Sequence, residues 1–185
     1  MPSQDLFRYQ DLIELFEQLF LDTTNTRLIK GEDEPIYLPM DDDNLNHRVV
    51  FAHGFFASAL HEIAHWCLAG ERRRQLVDYG YWYAPDGRDE EQQRAFEQVE
   101  VKPQAIEWAF CLACGKSFDV SIDNLSGVET DRQAFRLNVF KQLQDYVKTG
   151  FPKRAGQFIE ALCHFYQQPS TELKLKELTC SESFV

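Results

Sequence analysis

Two histidines separated by three residues are the first feature of this sequence that could do chemistry. His61 and His65 stand in the run His-Glu-Ile-Ala-His, and residues at i and i+4 lie on one face of a helix with their Cβ atoms about 5–6 Å apart. Two imidazoles placed in this way can bind one metal ion, and Glu62 can reach a metal-bound water. The alternative is a packed histidine pair without a metal, but helix, spacing and glutamate together favour the metal site.

A third ligand must come from elsewhere, because a catalytic metal site uses three protein ligands and keeps open positions. Glu97 and Glu100 can share a face of the next long helix, and Glu107 lies two turns further on. We favour Glu100 because it precedes Pro103, where we expect the chain to turn and direct a carboxylate inward. Glu97 stays an alternative, and so does a solvated acidic face. His53, which precedes the metal helix, is a further candidate, although a single histidine beside a glycine such as Gly54 more often packs or forms a hydrogen bond.

Two histidines and one carboxylate fit two chemistries. A zinc ion would activate water for hydrolysis, with Glu62 as the general base of a peptidase or other hydrolase. Iron(II) in a facial triad would activate oxygen for hydroxylation. The ligand types alone do not choose between these hypotheses, and a binding protein with structural histidines is a third.

These residues need secondary structure to hold them, and apolar periodicity predicts it. The first half of the chain is predicted to contain a packing helix over 5–21, strands over 26–30 and 35–38 around an acidic turn, a buried strand over 48–52, the metal helix over 56–69 closed by Gly70, and a strand over 77–83. The second half is predicted to contain helices over 89–99 and 103–114 interrupted by Pro103 and capped by Gly115, a strand over 118–122, and helices over 131–148 and 154–167. Thr130 and Gln133 fit a capping box for the first of these last two helices.

This pattern predicts an α+β fold, with a small sheet surrounded by helices and a zincin-like metal helix. The length predicts one compact domain over residues 1–185, which begins with a packing helix within 1–24 and ends in a less ordered tail over 168–185.

The composition indicates a folded globular chain. Of 185 residues, 44% are apolar, and 15 Phe, 7 Tyr and 3 Trp are too many for a disordered chain. The formal net charge of −11 argues against direct nucleic-acid binding, since phosphate contacts require a basic surface. No apolar stretch approaches the roughly 20 residues of a membrane span, and the first residues lack a signal-peptide pattern. Five scattered cysteines do not suggest disulfides. We therefore expect no membrane contact and a cytoplasmic location.

Two other clusters have structural alternatives. Cys111 and Cys114 lack the second pair that a structural zinc site needs, so we interpret them as thiols without function.

Arg72, Arg73 and Arg74 follow the metal helix. They either form its solvated end, where the helix dipole favours cations, or provide a basic docking patch for an acidic protein.

Aromatic and acidic side chains between residues 78 and 89 could line a substrate pocket. The aromatic members are Tyr79, Tyr81, Trp82 and Tyr83. We expect most of them in the core, but one face could hold an ammonium group by cation–π contact. The acidic members are Asp78, Asp86 and Asp89. These carboxylates could bind amines or simply hydrate a turn.

Four stretches of the sequence resemble the elongation factor P hydroxylase family. They are Thr26–Pro39, Val50–Cys67, Asp78–Tyr83 with Pro85–Asp89, and Val99–Ala105. The similarity runs from about residue 25 to residue 165, and the stretches that contain His61 and Glu100 are long and specific.

The resemblance implies a protein-lysine hydroxylase. Its substrate would be the lysine at the tip of elongation factor P after that lysine has received a β-lysyl group. Its cofactor would be a non-heme metal, iron(II) by preference although zinc can replace it on purification, with molecular oxygen as co-substrate. The implied metal ligands are His61, His65 and Glu100. The role of Glu62 stays open between orienting ligands, binding the substrate ammonium and moving a proton. The sequence departs from the gluzincin protease pattern at Gln104, where an acid is usual.

Overall fold

Five α-helices and a three-stranded sheet make up the described part of the chain, so the fold class is α+β, as predicted. The computed structural model describes residues 6–80, 86–122, 127 and 131–170, and the chain divides into two units, Met1–Tyr81 and Trp82–Val185. This division does not test the single domain predicted over 1–185, which stays a prediction. Most of the tail predicted over 168–185 lies outside the described residues. None of the described helices is long and apolar enough to cross a membrane.

The first unit is built on the sheet. Its elements are α1 (Tyr9–Thr24), β1 (Thr26–Lys30), β2 (Ile36–Leu38), β3 (His47–Phe51), α2 (Phe56–Leu68) and two short 3-10 helices, Arg73–Gln75 and Val77–Gly80. Strand β3 is central and pairs in parallel with β1 and antiparallel with β2. Burial alternates along β3, so that one face of the strand is turned to the core. Helix α1 packs on β1, and α2 packs on β3.

Helices are the regular secondary structure of the second unit within its described residues. Helix α3 (Glu90–Cys114) packs against both α4 (Arg132–Thr149) and α5 (Lys153–Phe165). The side chain of Asp89 caps α3 and forms a capping box with Gln92, and Gly115 ends the helix in the left-handed region, as predicted for that glycine.

Most predicted elements are found within a few residues of their predicted bounds, but the prediction for Gly70 is wrong. Helix α2 ends because Ala69 turns to extended backbone (φ −65°, ψ 118°), and Gly70 does not have the positive φ of a left-handed cap. Instead, Nη1 of Arg74 donates to the Ala69 carbonyl at 2.9 Å, and the Arg74 backbone N–H donates to the Gly70 carbonyl at 3.1 Å. Arg74 therefore satisfies the carbonyls of the two residues that follow the helix.

The predicted interruption at Pro103 is also wrong, because α3 is one helix of 25 residues with Pro103 inside it. Proline removes one backbone hydrogen bond from a helix interior. Nearly every residue of α3 from Pro103 to Cys114 is buried, and this half packs against the neighbouring helices. The apolar surface removed from water outweighs the lost bond.

Two predicted strands are not strands. Residues 77–80 form a 3-10 turn in which Asp78 and Tyr79 have left-handed backbone (φ 47° and 58°), and 81–83 lie outside the described residues. The Asp78 carboxylate accepts the Tyr37 backbone N–H at 2.9 Å, so a side chain takes the place of a strand beside β2. Residues 118–122 form no ladder, because side chains bond their backbone groups, as described below.

The predicted capping box of α4 is wrong as well. Asp131 is the N-cap, and its side chain accepts the Ala134 backbone N–H at 2.9 Å. Thr130 lies outside the described residues. Aspartate and threonine both suit this position, so the sequence alone could not separate two adjacent candidates.

Candidate metal centre

The histidine pair lies on α2, as predicted. The Nε2 atoms of His61 and His65 are 3.1 Å apart, and both side chains are half-buried. Two nitrogen ligands bound to one ion at about 2.0–2.1 Å lie roughly 3.0–3.4 Å from each other. The spacing of this pair therefore fits a shared metal ion.

Helix α2 is a firm support for these histidines. Trp66 is fully buried, and its ring centroid lies 4.9 Å from that of Phe16 and 4.8 Å from that of Phe20. In the first turn of α2, Oγ of Ser58 accepts the backbone N–H of Ala52 at 2.9 Å. This bond connects the helix to the residue that follows β3. The two imidazoles thus project from a helix that is packed along its length.

Glu100 is the carboxylate of a candidate metal-binding group that includes these two histidines. It is 1% exposed on α3, and one ligand atom from each of His61, His65 and Glu100 lies within 4.8 Å of the other two. A carboxylate buried this deeply is costly unless positive charge or hydrogen bonds compensate it. Two imidazole nitrogens and a carboxylate oxygen form a group that could hold a metal ion, and these donors suit zinc and iron(II) alike.

The other residues weighed as third ligands do not belong to this group, as far as the chain is described. Glu97 is half-buried and accepts Nε2–H of Gln93 at 3.1 Å. His53 is exposed in left-handed backbone (φ 52°), with its ring against Phe55. Glu107 is buried further along α3, outside the group.

Tyr79 lies near Glu62, which is on the histidine helix. Tyr79 is buried, and its ring stacks on that of Tyr37 at 4.4 Å. Burial, and after it the nearby Glu62 carboxylate, raises the pKa of the Tyr79 phenol well above its usual value, so the hydroxyl keeps its proton. This hydroxyl has no hydrogen-bond partner among the described residues.

The remaining predicted pocket residues divide into two groups. Asp78 and Asp89 already serve the fold, because their carboxylates accept backbone N–H groups of Tyr37 and of the first turn of α3. Asp86 is exposed and stays a candidate for binding amines. Tyr81, Trp82 and Tyr83 lie outside the described residues, so that part of the aromatic wall stays a prediction.

The arginine cluster is only partly available for docking. Arg74 is half-buried and donates to the Ala69 carbonyl, and its own carbonyl accepts the Tyr37 hydroxyl at 2.9 Å. Arg72 and Arg73 are exposed. Arg74 is therefore a structural residue, and docking stays a prediction for the other two.

Cys111 and Cys114 are buried free thiols on α3. Burial, with a smaller contribution from Glu107, raises the pKa of the Cys111 thiol well above its usual value. A thiol held in its protonated form is a poor nucleophile and a poor metal ligand, which favours a structural role for Cys111. The interpretation of the pair as thiols without function stays a prediction.

Arg88 is a buried residue that the sequence pattern does not single out, and it is 1% exposed. Its Nε donates to Oε1 of Gln93 at 2.9 Å, its Nη2 donates to the Ile122 carbonyl at 2.7 Å, and its guanidinium lies 3.8 Å from the centroid of the Phe96 ring. The one available signal was the spacing of Gln93 and Phe96, which stand three residues apart on a face of α3 that a preceding arginine can reach.

Known proteins resemble the chain over nearly its whole length. The sequence model of a family described as elongation factor P hydroxylase matches residues 15–177. A protein of Haemophilus influenzae named elongation factor P lysine hydroxylase is 49% identical over 174 residues, which cover 94% of this chain and 98% of that relative.

Proposed function

The chain belongs to the elongation factor P hydroxylase family, and we propose that it hydroxylates the β-lysylated lysine of elongation factor P with an iron ion held by His61, His65 and Glu100. The family supports the reaction and the protein substrate. The observation that carries the metal proposal is the approach of three ligand atoms, within 4.8 Å of one another, from these side chains.

The residues present fit a non-heme metal site. His61 and His65 would hold the ion by neutral nitrogens, and Glu100 would add the one anionic ligand of a facial triad. When bound, iron would supply the activation of molecular oxygen that a hydroxylation requires. The resemblance of α2 to the metal helix of zinc proteases is a part of this proposal that rests on the sequence motif alone.

Glu62 is proposed to receive an ammonium group or a proton of the substrate. The β-lysylated lysine carries two amines, and carboxylates are their natural partners. Glu62 directly follows His61, so its carboxylate is on the helix of both candidate histidine ligands, and Asp86 is exposed. Tyr79 near Glu62 keeps its proton, so its hydroxyl can donate a hydrogen bond as well as accept one, next to the carboxylate acceptor of Glu62.

Arg72 and Arg73 are proposed to contribute to docking of the protein substrate. The chain has a net charge of −11, so an acidic partner would be repelled by most of its surface and guided to a basic patch. Charge reversal at Arg72 should lower kcat/KM for the factor without changing metal content, and an unchanged kcat/KM would refute this placement. We further propose that the enzyme works in the cytoplasm, in keeping with a translation factor as substrate.

Mass spectrometry tests the reaction directly. β-Lysylated elongation factor P, incubated with the protein, iron(II), a reductant and air, should gain the mass of one oxygen atom, and unmodified factor should gain none. His61→Ala should abolish the gain, whereas the matched control His53→Ala, an exposed histidine outside the triad, should leave it intact. No gain in mass with the iron-loaded wild-type protein would reject the proposal.

A zinc-dependent peptidase or other hydrolase is the alternative. A peptide-cleavage assay separates it, since Glu62→Gln should abolish cleavage by a hydrolase that uses Glu62 as its base. Zinc in the purified protein would not decide the question, because such ligands bind zinc more tightly than iron(II).

A further inference from the structure

The segment over 118–122 is held to the helices by side chains instead of by a neighbouring strand. The Ser121 backbone N–H donates to Oε1 of Gln104 at 3.0 Å, and Nε2 of Gln104 donates back to the Ser121 carbonyl at 2.7 Å. Nη2 of Arg132 donates to the Val120 carbonyl at 2.6 Å, and Nη2 of Arg88 donates to that of Ile122 at 2.7 Å. Three consecutive residues are thus fixed by side chains of α3, α4 and the residue before the α3 cap.

The paired bonds to Ser121 determine how the Gln104 amide is oriented. Gln104 is fully buried, and the atom that accepts the Ser121 N–H must be its oxygen, so the other atom must be its nitrogen. A primary amide carries two N–H groups. One is used by the Ser121 carbonyl, and the second is directed at Oε2 of Glu100, 3.3 Å away and one turn earlier on α3.

We propose that Gln104 is a positioning residue that fixes the carboxylate of Glu100 for metal binding, an inference that rests on the metal site proposed above. The backbone of Ser121 holds the amide, and the amide holds one carboxylate oxygen. Gln104 is neutral, so it orients Glu100 without cancelling the negative charge that a metal ion requires. This explains the glutamine at a position where a second acid would repel Glu100 and would offer the Ser121 carbonyl no donor at neutral pH.

Zinc affinity of the full chain tests the proposal. Gln104→Met has nearly the shape of glutamine but donates no hydrogen bond. Loss of a residue that orients a metal ligand typically weakens metal binding by about 10–100-fold. We expect the zinc dissociation constant of Gln104→Met, measured by competition with a chromophoric chelator, to rise by that factor.

Gln93→Met is the matched control. Gln93 is also a buried glutamine of α3 whose Nε2 donates to a glutamate one turn away, but that glutamate is Glu97, outside the candidate metal group. Its zinc dissociation constant should stay within about threefold of wild type, well below the ligand-orienting effect. An unchanged constant in Gln104→Met, or an equal rise in both variants, would overturn the proposal.

Circular dichroism of the metal-free variants shows whether each one folds. If Gln104→Met does not fold, Gln104→Asn replaces it, since its amide is one methylene too short to reach Ser121 and Glu100 together. Weaker zinc binding by folded Gln104→Asn would support the proposal, and wild-type affinity would overturn it. A wild-type protein that binds no metal would instead refute the proposed metal site, so the two failures are distinguishable.

Discussion

Replacing the buried Arg88 with alanine should destabilise the protein by about 3 kcal/mol. The hydrogen bonds from Arg88 to Gln93 and to the Ile122 carbonyl each come from a charged donor and contribute about 1.5–3 kcal/mol, and a desolvated cation–π contact such as that with Phe96 contributes about 2 kcal/mol. The cost of removing the wild-type guanidinium from water on folding offsets several kcal/mol of this sum. The alanine variant would also leave the Gln93 amide and the Ile122 carbonyl without this donor.

Urea denaturation followed by circular dichroism measures the loss. For a chain of this length, about 3 kcal/mol corresponds to a fall in Tm of roughly 6–12 °C. Arg94→Ala is the matched control, because it removes the same charge from the first turns of α3, close to Arg88 in the sequence. Arg94 is 72% exposed and, within the described part of the chain, pairs with Glu90, which is 77% exposed, so its loss should cost less than about 0.5 kcal/mol. A loss below about 1 kcal/mol for Arg88→Ala, or equal losses in the two variants, would refute the reasoning.

Three further predictions concern the first unit. Burial, and after it the charge of Arg74, lowers the pKa of His47, whose Nδ1 accepts the Met40 backbone N–H. Below pH about 6.5 this histidine is therefore protonated in the unfolded chain but still neutral in the folded one, so the free energy of unfolding falls as the pH is lowered. His47→Asn keeps an acceptor and should flatten the unfolding free energy between pH 7 and 5; an unflattened profile would contradict this. Trp66→Ala should cost about 3–5 kcal/mol in urea, against less than about 0.5 for Leu45→Ala, which removes a side chain 80% exposed; similar losses would show that the indole does not anchor α2. Tyr79→Phe removes a buried hydroxyl with no hydrogen-bond partner among the described residues, so the free energy of unfolding in urea should stay equal or rise. A loss above about 1 kcal/mol would contradict this and show that the hydroxyl forms a stabilising hydrogen bond.

The first half of the fold could be predicted because its signals are local. Strand β1 has its predicted bounds, and α2 starts at its predicted residue, since β-branched runs and helical periodicity are properties of neighbouring residues. The prediction failed where a distant group decided the structure. Asp78 and Tyr79 read as part of an aromatic strand, but the Asp78 carboxylate binds the backbone of Tyr37, 41 residues away. No local pattern contains that contact.

Pro103 shows the same limit from the other side. The rule that proline interrupts a helix is local and correct on average. Here the half of α3 that follows it is buried against two other helices, and burial of many side chains outweighs one missing N–H. The turn expected at Pro103 is therefore absent, and Glu100 belongs to the candidate metal group without it.

Glu100 differs from Glu97 in how deeply it is buried and in how firmly the glutamine amide that donates to it is held. Each carboxylate accepts an N–H from a buried glutamine four residues away on α3. Glu97 is half-buried, and its partner Gln93 is bound to the side chain of Arg88. Glu100 is 1% exposed, and its partner Gln104 is held by a backbone segment. A backbone anchor orients a ligand more firmly than a side chain does, because fewer rotatable bonds separate it from the rest of the fold. Spacing left both glutamates open as ligands, whereas the deeper burial of Glu100, the backbone anchor of Gln104 and the inclusion of Glu100 in the candidate metal group favour Glu100.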